Sequence, residues 1–96
     1  MLNEKQRDAL KIVRNKAASV PDLFTDMYDN RDAYGLTNPM IRHEIVNPIN
    51  HIIGYSDLLS SGEMGLLNET QQQNVKIINV SGRHILTLIL DILQQE

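Results

Sequence analysis

The sequence predicts an all-α fold: an antiparallel helical hairpin that pairs with a second copy into a dimeric four-helix bundle, with an extra helical segment at the N-terminus. Three observations carry this expectation. Two long stretches hold apolar residues three and four positions apart, the spacing of one helix face. Capping signals stand before both stretches. The turn-forming segment between them is short, which sets the two helices antiparallel.

The elements follow in order. A first helix is expected from about Asn3 to Ala18, where Leu10, Val13, Ala17 and Val20 recur at helical spacing. The run "SVPD" then reads as a fresh start, with Ser19 as cap, Pro21 in the first turn and Asp22 at the capping-box position. The short second helix would end near Asp29, with Leu23, Phe24, Met27 and Tyr28 as its apolar side. "DNRDAYGLTNP" is rich in turn formers and reads as a loop.

Asn38-Pro39 starts the third helix, a capping Asn followed by Pro at the first helical position. Ile41, Ile45, Pro48, Ile52, Tyr55 and Leu59 then alternate four and three apart. "SSGEMG" ends it. Asn68 caps the last helix with Gln71 reaching back, and Val75, Ile78, Gly82, Ile85, Ile89 and Ile92 form its seam. Each long helix has a second apolar row: Ile49 and Ile53 on one, Leu86, Leu90 and Leu93 on the other. Two rows exceed what a lone hairpin covers, hence the expected dimer. The alternative is a monomer in which residues 1–34 fold back over the hairpin. The chain thus divides into an N-terminal helical segment of unassigned role, 1–37, and a hairpin, 38–96.

Composition narrows the function. The 96 residues carry a formal charge of −3, which argues against a nucleic-acid face, since that needs a basic patch. Cysteine is absent, so disulfides, thiolate metal sites and cysteine nucleophiles are excluded, and a reducing, cytoplasmic setting is expected. "MLNEKQRDAL" is too polar for a secretory signal. The most apolar run, "ILTLIL" from Ile85 to Leu90, is far too short to span a membrane.

With Ile41, Ile45, Ile52 and Leu59 inward, His43 falls on the outer side of its helix. Asn47 lies one turn along, and Asn50 and His51 continue the polar strip. An exposed imidazole beside the carboxylate of Glu44 suits a nucleophilic or proton-transferring His. The plainer alternative is a solvated helix face that happens to hold a His. Pro48 adds weight to the first, because a mid-helix Pro removes a backbone donor and crowds the carbonyl of Glu44. "HEIVN" has the first His and the Glu of the zinc motif His-Glu-x-x-His, but Asn47 stands where the second His belongs. His51 is two turns beyond His43, too far to share an ion. No metal site is therefore expected. Met27, Met40 and Met64 read as packing or loop residues, and His51 and His84 as surface residues without chemistry.

Taken together, the stretch from Arg42 to Leu93 resembles the dimerisation and histidine-phosphotransfer domain of sensor histidine kinases, over about residues 38–93. The family's motif His-Glu-[Leu/Ile]-[Arg/Lys]-[Thr/Asn]-Pro stands here as His43, Glu44, Ile45, Val46, Asn47 and Pro48. "IIGYSDLL" and the "SG" before the last apolar run are also similar to the family. The resemblance implies that His43 takes the γ-phosphoryl group of ATP and passes it to a response-regulator aspartate. Glu44 would orient the imidazole or accept its proton. Asn47 would position the ATP-binding domain, or a water during removal of phosphate from the regulator.

Two residues depart from the pattern. Val46 replaces the usual basic residue, and Arg42, where a small Ser is common, would partly supply the lost charge. The chain stops at Glu96, close to where an ATP-binding domain would begin. By the resemblance, then, it binds no cofactor itself, and ATP and Mg come through a separate catalytic domain. Its expected partners are a second copy, that domain and a response-regulator receiver domain. A free-standing phosphotransfer or phosphatase protein, and a purely structural helical dimer, are the rival expectations.

Overall fold

The computed structural model of the chain describes residues 2–29 and 39–93. Among them are three helices and no strand: α1, Glu4–Asp29; α2, Pro39–Ser61; and α3, Glu69–Leu93. The expected loop over 30–38, with the Asn38 cap, lies outside the described residues. So do the side chains expected in the core at Met27, Tyr28, Ile41, Ile92 and Leu93.

Helix α2 is the central element. Its residues Ile45, Ile49 and Ile53 are buried against Ile89 of α3, with Val20, Leu23 and Phe24 of α1 packed on the same cluster. At the other end Leu59 is buried with Ala9 of α1 and Val75 of α3, beside Leu10, Tyr55, Met64 and Leu67. Residues early in α1 thus meet the end of α2, and residues late in α1 meet its start. Both α1 and α3 therefore run antiparallel to α2.

One expectation is corrected. Ser19 does not start a second helix, because α1 is continuous from Glu4 to Asp29 with Pro21 inside it. The Ser19 hydroxyl donates to the Lys16 carbonyl at 2.6 Å, inside the helix, and so caps nothing. A Pro in a helix interior costs about 3 kcal/mol. Here apolar residues on both sides of it, Val13 and Val20 before and Leu23 and Phe24 after, are buried or pack onto the hairpin. Burial of several such side chains, at about 1.5 kcal/mol or more each, outweighs that penalty.

A second point concerns what covers α2. Both of its apolar rows are buried within one chain: Ile45, Ile52 and Leu59 on one, Ile49 and Ile53 on the other. The N-terminal segment does fold back over the hairpin, the arrangement weighed above as the alternative. Most of the uncovered apolar surface lies on α3 instead, where Ile77, Val80, Ile85 and Leu88 are each more than two-fifths exposed; Leu58 of α2 and Leu66 of the turn are exposed too.

The helix starts explain how α1 is held. The Asn68–Gln71 capping box is present: the Gln71 N–H donates to Asn68 Oδ1 at 2.8 Å, and the Asn68 N–H to Gln71 Oε1 at 3.0 Å. The same device recurs at Asn3 and Gln6, with distances of 2.8 and 2.9 Å. These two side chains also reach the α2–α3 turn, where Asn3 Nδ2 donates to the Met64 carbonyl and Gln6 Nε2 to that of Leu66. Between those carbonyls Gly65 has φ +121°, and a Cβ there would overlap Asn3 Nδ2. Gly65→Ala is therefore expected to destabilise the chain by about 2 kcal/mol, through backbone strain and loss of the clamp. A urea unfolding curve unchanged from wild type would contradict this.

A polar clasp joins α2 to α3 at mid-height. Asn79 Nδ2 lies 2.8 Å from Ser56 Oγ and 2.7 Å from Asp57 Oδ1, while Arg83 Nε donates to Asn79 Oδ1 at 2.9 Å. Arg83 also pairs with Asp57 at 2.8 Å. That pair is half exposed and worth little alone, but Ser56 is buried and depends on its partners. Beside the clasp the helices approach closely: a Cβ on Gly82 would lie 3.2 Å from Ile53 Cγ1.

Candidate functional site

The site is built on the first half of α2. Ile45 and Ile49 are buried at 2 % and 1 % exposure, and they fix the rotation of the helix about its axis. The polar residues around them are thereby turned outward. His43, Glu44, Asn47, Asn50 and His51 are exposed, and Pro48 is buried. The helix is continuous through Pro48. Because Pro48 has no N–H, the Glu44 carbonyl lacks the donor that an ordinary helix would supply.

His43 and Asn47, one turn apart, form a ridge with a cleft on each side. Toward α1 the ridge is flanked by Glu44, Pro48 and His51, and α1 supplies the facing wall with Lys16, Ser19 and Leu23; this cleft is about 310 Å³. Toward α3 it is flanked by Arg42, Val46 and Asn50, with Leu90 as the facing wall, in a cleft of about 380 Å³. The imidazole is thus reachable from solvent and from both sides, as a side chain that must meet a large partner requires.

The four residues singled out in the sequence are brought together: His43, Glu44, Asn47 and Pro48 line one cleft. His51, which like His84 reads from the sequence as a surface residue without chemistry, lines it too, whereas His84 lies on the exposed side of α3 and lines neither cleft. Sequence periodicity could not find Lys16, Ser19 or Leu90, because it assigns a residue to a face of its own helix and not to a neighbour. Among the described residues no three His, Asp or Glu side chains converge as a metal site, and no helix is long and apolar enough to cross a membrane.

The arrangement offers an accessible nucleophilic nitrogen on a rigid helix. A carboxylate stands beside it, a carboxamide lies one turn on, and a cation lines each flanking cleft, Lys16 on one side and Arg42 on the other. Such a set suits transfer of an anionic group through nitrogen, which depends on positioning and charge more than on covalent chemistry by the protein.

Comparison with known proteins agrees. A family model described as the His Kinase A (phospho-acceptor) domain matches residues 36–96. The chain is 41% identical over 54 residues to the cell-division control histidine kinase PdhS of Brucella anthropi, covering 55% of this chain and 5% of that protein. The PdhS proteins of Brucella ovis and Brucella suis match with the same identity and the same coverage of each chain. The chain therefore spans about one-twentieth of the length of these relatives. No solved structure matches it significantly.

Proposed function

The chain belongs to the His Kinase A (phospho-acceptor) domain family, and from that premise we propose that His43 is its phosphoacceptor and that two copies pair to present it. Domains of this family dimerise and work with kinase and receiver partners. The observation that carries the assignment is the exposed His43–Asn47 ridge, set on a helix whose opposite face is buried.

The chemistry follows from these groups. An imidazole nitrogen of His43 attacks the γ-phosphorus of ATP held by a catalytic domain with its Mg. The bond from that phosphorus to the β,γ-bridging oxygen breaks and ADP departs. The ring proton passes to Glu44 or to solvent, leaving a neutral N-phosphorylated ring. In the second transfer a receiver aspartate oxygen attacks phosphorus, the P–N bond breaks, and His43 regains a proton. Asn47 serves as a hydrogen-bonding contact for whichever partner is docked.

Pairing is supported by the uncovered face of α3. Ile77 and Ile85, with Leu10, Val13 and Ala17 of α1, line an apolar groove of about 530 Å³. Isolated apolar residues on a surface need no explanation, but a contiguous groove of this kind offers surface that a second copy would bury. Light scattering at micromolar concentration should give twice the chain mass, and a monomer would remove the pairing. The acceptor assignment is tested by incubating the chain with ATP and the catalytic domain of a histidine kinase. An acid-labile, base-stable label mapped to His43 is the expected result.

A further inference from the structure

We propose that Lys16, from the N-terminal helix, is part of the acceptor site: its ammonium receives the phosphoryl oxygens once His43 is phosphorylated. The proposal rests on His43 being the acceptor, and it gives α1 a role in the chemistry beyond covering the hairpin.

Charge creates the need for a cation here. An N-linked phosphoryl group carries close to two negative charges near neutral pH, and here it is added next to the carboxylate of Glu44. Like charges at that separation repel unless a cation is close. Helix α1 carries Lys5, Arg7, Lys11, Arg14 and Lys16. Of these, Lys16 alone lines the cleft with His43 and Glu44. Arg7, Lys11 and Arg14 line a different depression near Leu2 and Leu10.

Geometry points the same way. Lys16 is half-buried and lines the cleft, and a Lys so placed can cover apolar surface with its stem while keeping its ammonium in water. Its helix is fixed at both ends, by the Asn3 and Gln6 clamp on the α2–α3 turn and by Val20, Leu23 and Phe24 in the core. The cation is therefore carried on a rigid element. The cleft is open, about 310 Å³ and mixed in polarity, with room for a phosphoryl group on the ring. The charged and titratable groups facing that group are Lys16 from α1 and Glu44 and His51 from α2, with Arg42 on the far side of the ridge; Leu90 of α3 adds none.

The test needs no kinase. Phosphoramidate is the donor: a His43 ring nitrogen bonds to phosphorus, the P–N bond breaks, and the amine leaves as ammonia, taking up through water the proton that the ring gives up. The second ionisation of the product is then followed by its phosphorus resonance as pH is varied. A nearby cation favours the dianion and lowers that pKa. In Lys16→Met it should lie about half a unit above wild type. Lys16→Arg should restore the wild-type value, and Lys11→Met, which removes an equal charge elsewhere, should leave it unchanged. Lys16→Gln repeats the measurement with a polar stem, so the result does not depend on one variant folding. Superimposable titrations for wild type, Lys16→Met and Lys16→Gln would overturn the role of Lys16 while leaving the acceptor in place. His51 and His84 are exposed too and so small a donor reaches them, so the His43 resonance is identified in a chain carrying His51→Gln and His84→Gln; no label on His43 there would overturn the acceptor assignment and this one together.

Discussion

The His43→Gln chain should take no phosphoryl group, with a loss of at least on the order of 1,000-fold in label incorporated. Gln keeps roughly the reach and hydrogen-bonding capacity of His, but its amide nitrogen has no free lone pair to attack phosphorus. Neither His51 nor His84 replaces it on geometric grounds. His51 lies two turns further along α2, about 12 Å from His43 along the helix axis, and His84 is on another helix and lines neither cleft. The substitution should leave the fold intact, because His43 is exposed and such positions rarely move stability by more than about 0.5 kcal/mol. Circular dichroism and a urea curve matching wild type, together with an unlabelled protein, are the expected pair of results. Retained labelling of this variant would sink the acceptor role.

The second large effect is structural. Ile49→Ala should destabilise the chain by about 3 kcal/mol. Ile49 is 1% exposed and packs with Ile45, Ile53 and Ile89 in the cluster that α1 completes through Val20, Leu23 and Phe24. Removing most of its side chain leaves a cavity bounded by three helices, so relaxation of any one of them cannot fill it. A domain of this size has about 5–15 kcal/mol in total, so the loss is a large fraction. It should appear as a lower urea midpoint with an unchanged slope, measured at matched protein concentration because pairing adds to stability. A loss under about 1 kcal/mol would mean that this cluster does not hold α2 in its observed rotation. Phosphorylation should suffer too, but as a consequence of unfolding, and should recover at low temperature.

Much of the hairpin was legible because its signals are local. The Asn68–Gln71 box is a matter of side chains three residues apart. The outward position of His43 follows from Ile45 and Ile49 being buried on the same helix. The break expected at Ser19 and Pro21 was also a local inference, and there it failed. Capping chemistry at "SVPD" is sound for an isolated segment, but the apolar residues flanking Pro21 gain more by extending one helix along α2 than the cap would return. Asn3 and Gln6 form the same pattern as Asn68 and Gln71, yet their second role in gripping the turn at Met64 and Leu66 depends on residues some 60 positions away.

The sequence by itself determined the helical class, the start of the last helix, the outer strip of His43, Glu44, Asn47 and His51, and through "HEIVNP" the family. All of these depend on side chains within one or two turns of each other. Tertiary structure alone decided that residues 4–29 form one helix, that this helix covers α2, and that most of the open apolar surface lies on α3. It alone placed Lys16 in the cleft of His43. The physical reason is that periodicity states which face of a helix is apolar but not which neighbour buries it. That choice rests on the free energy of packing whole faces together, to which residues far apart in the chain contribute at once.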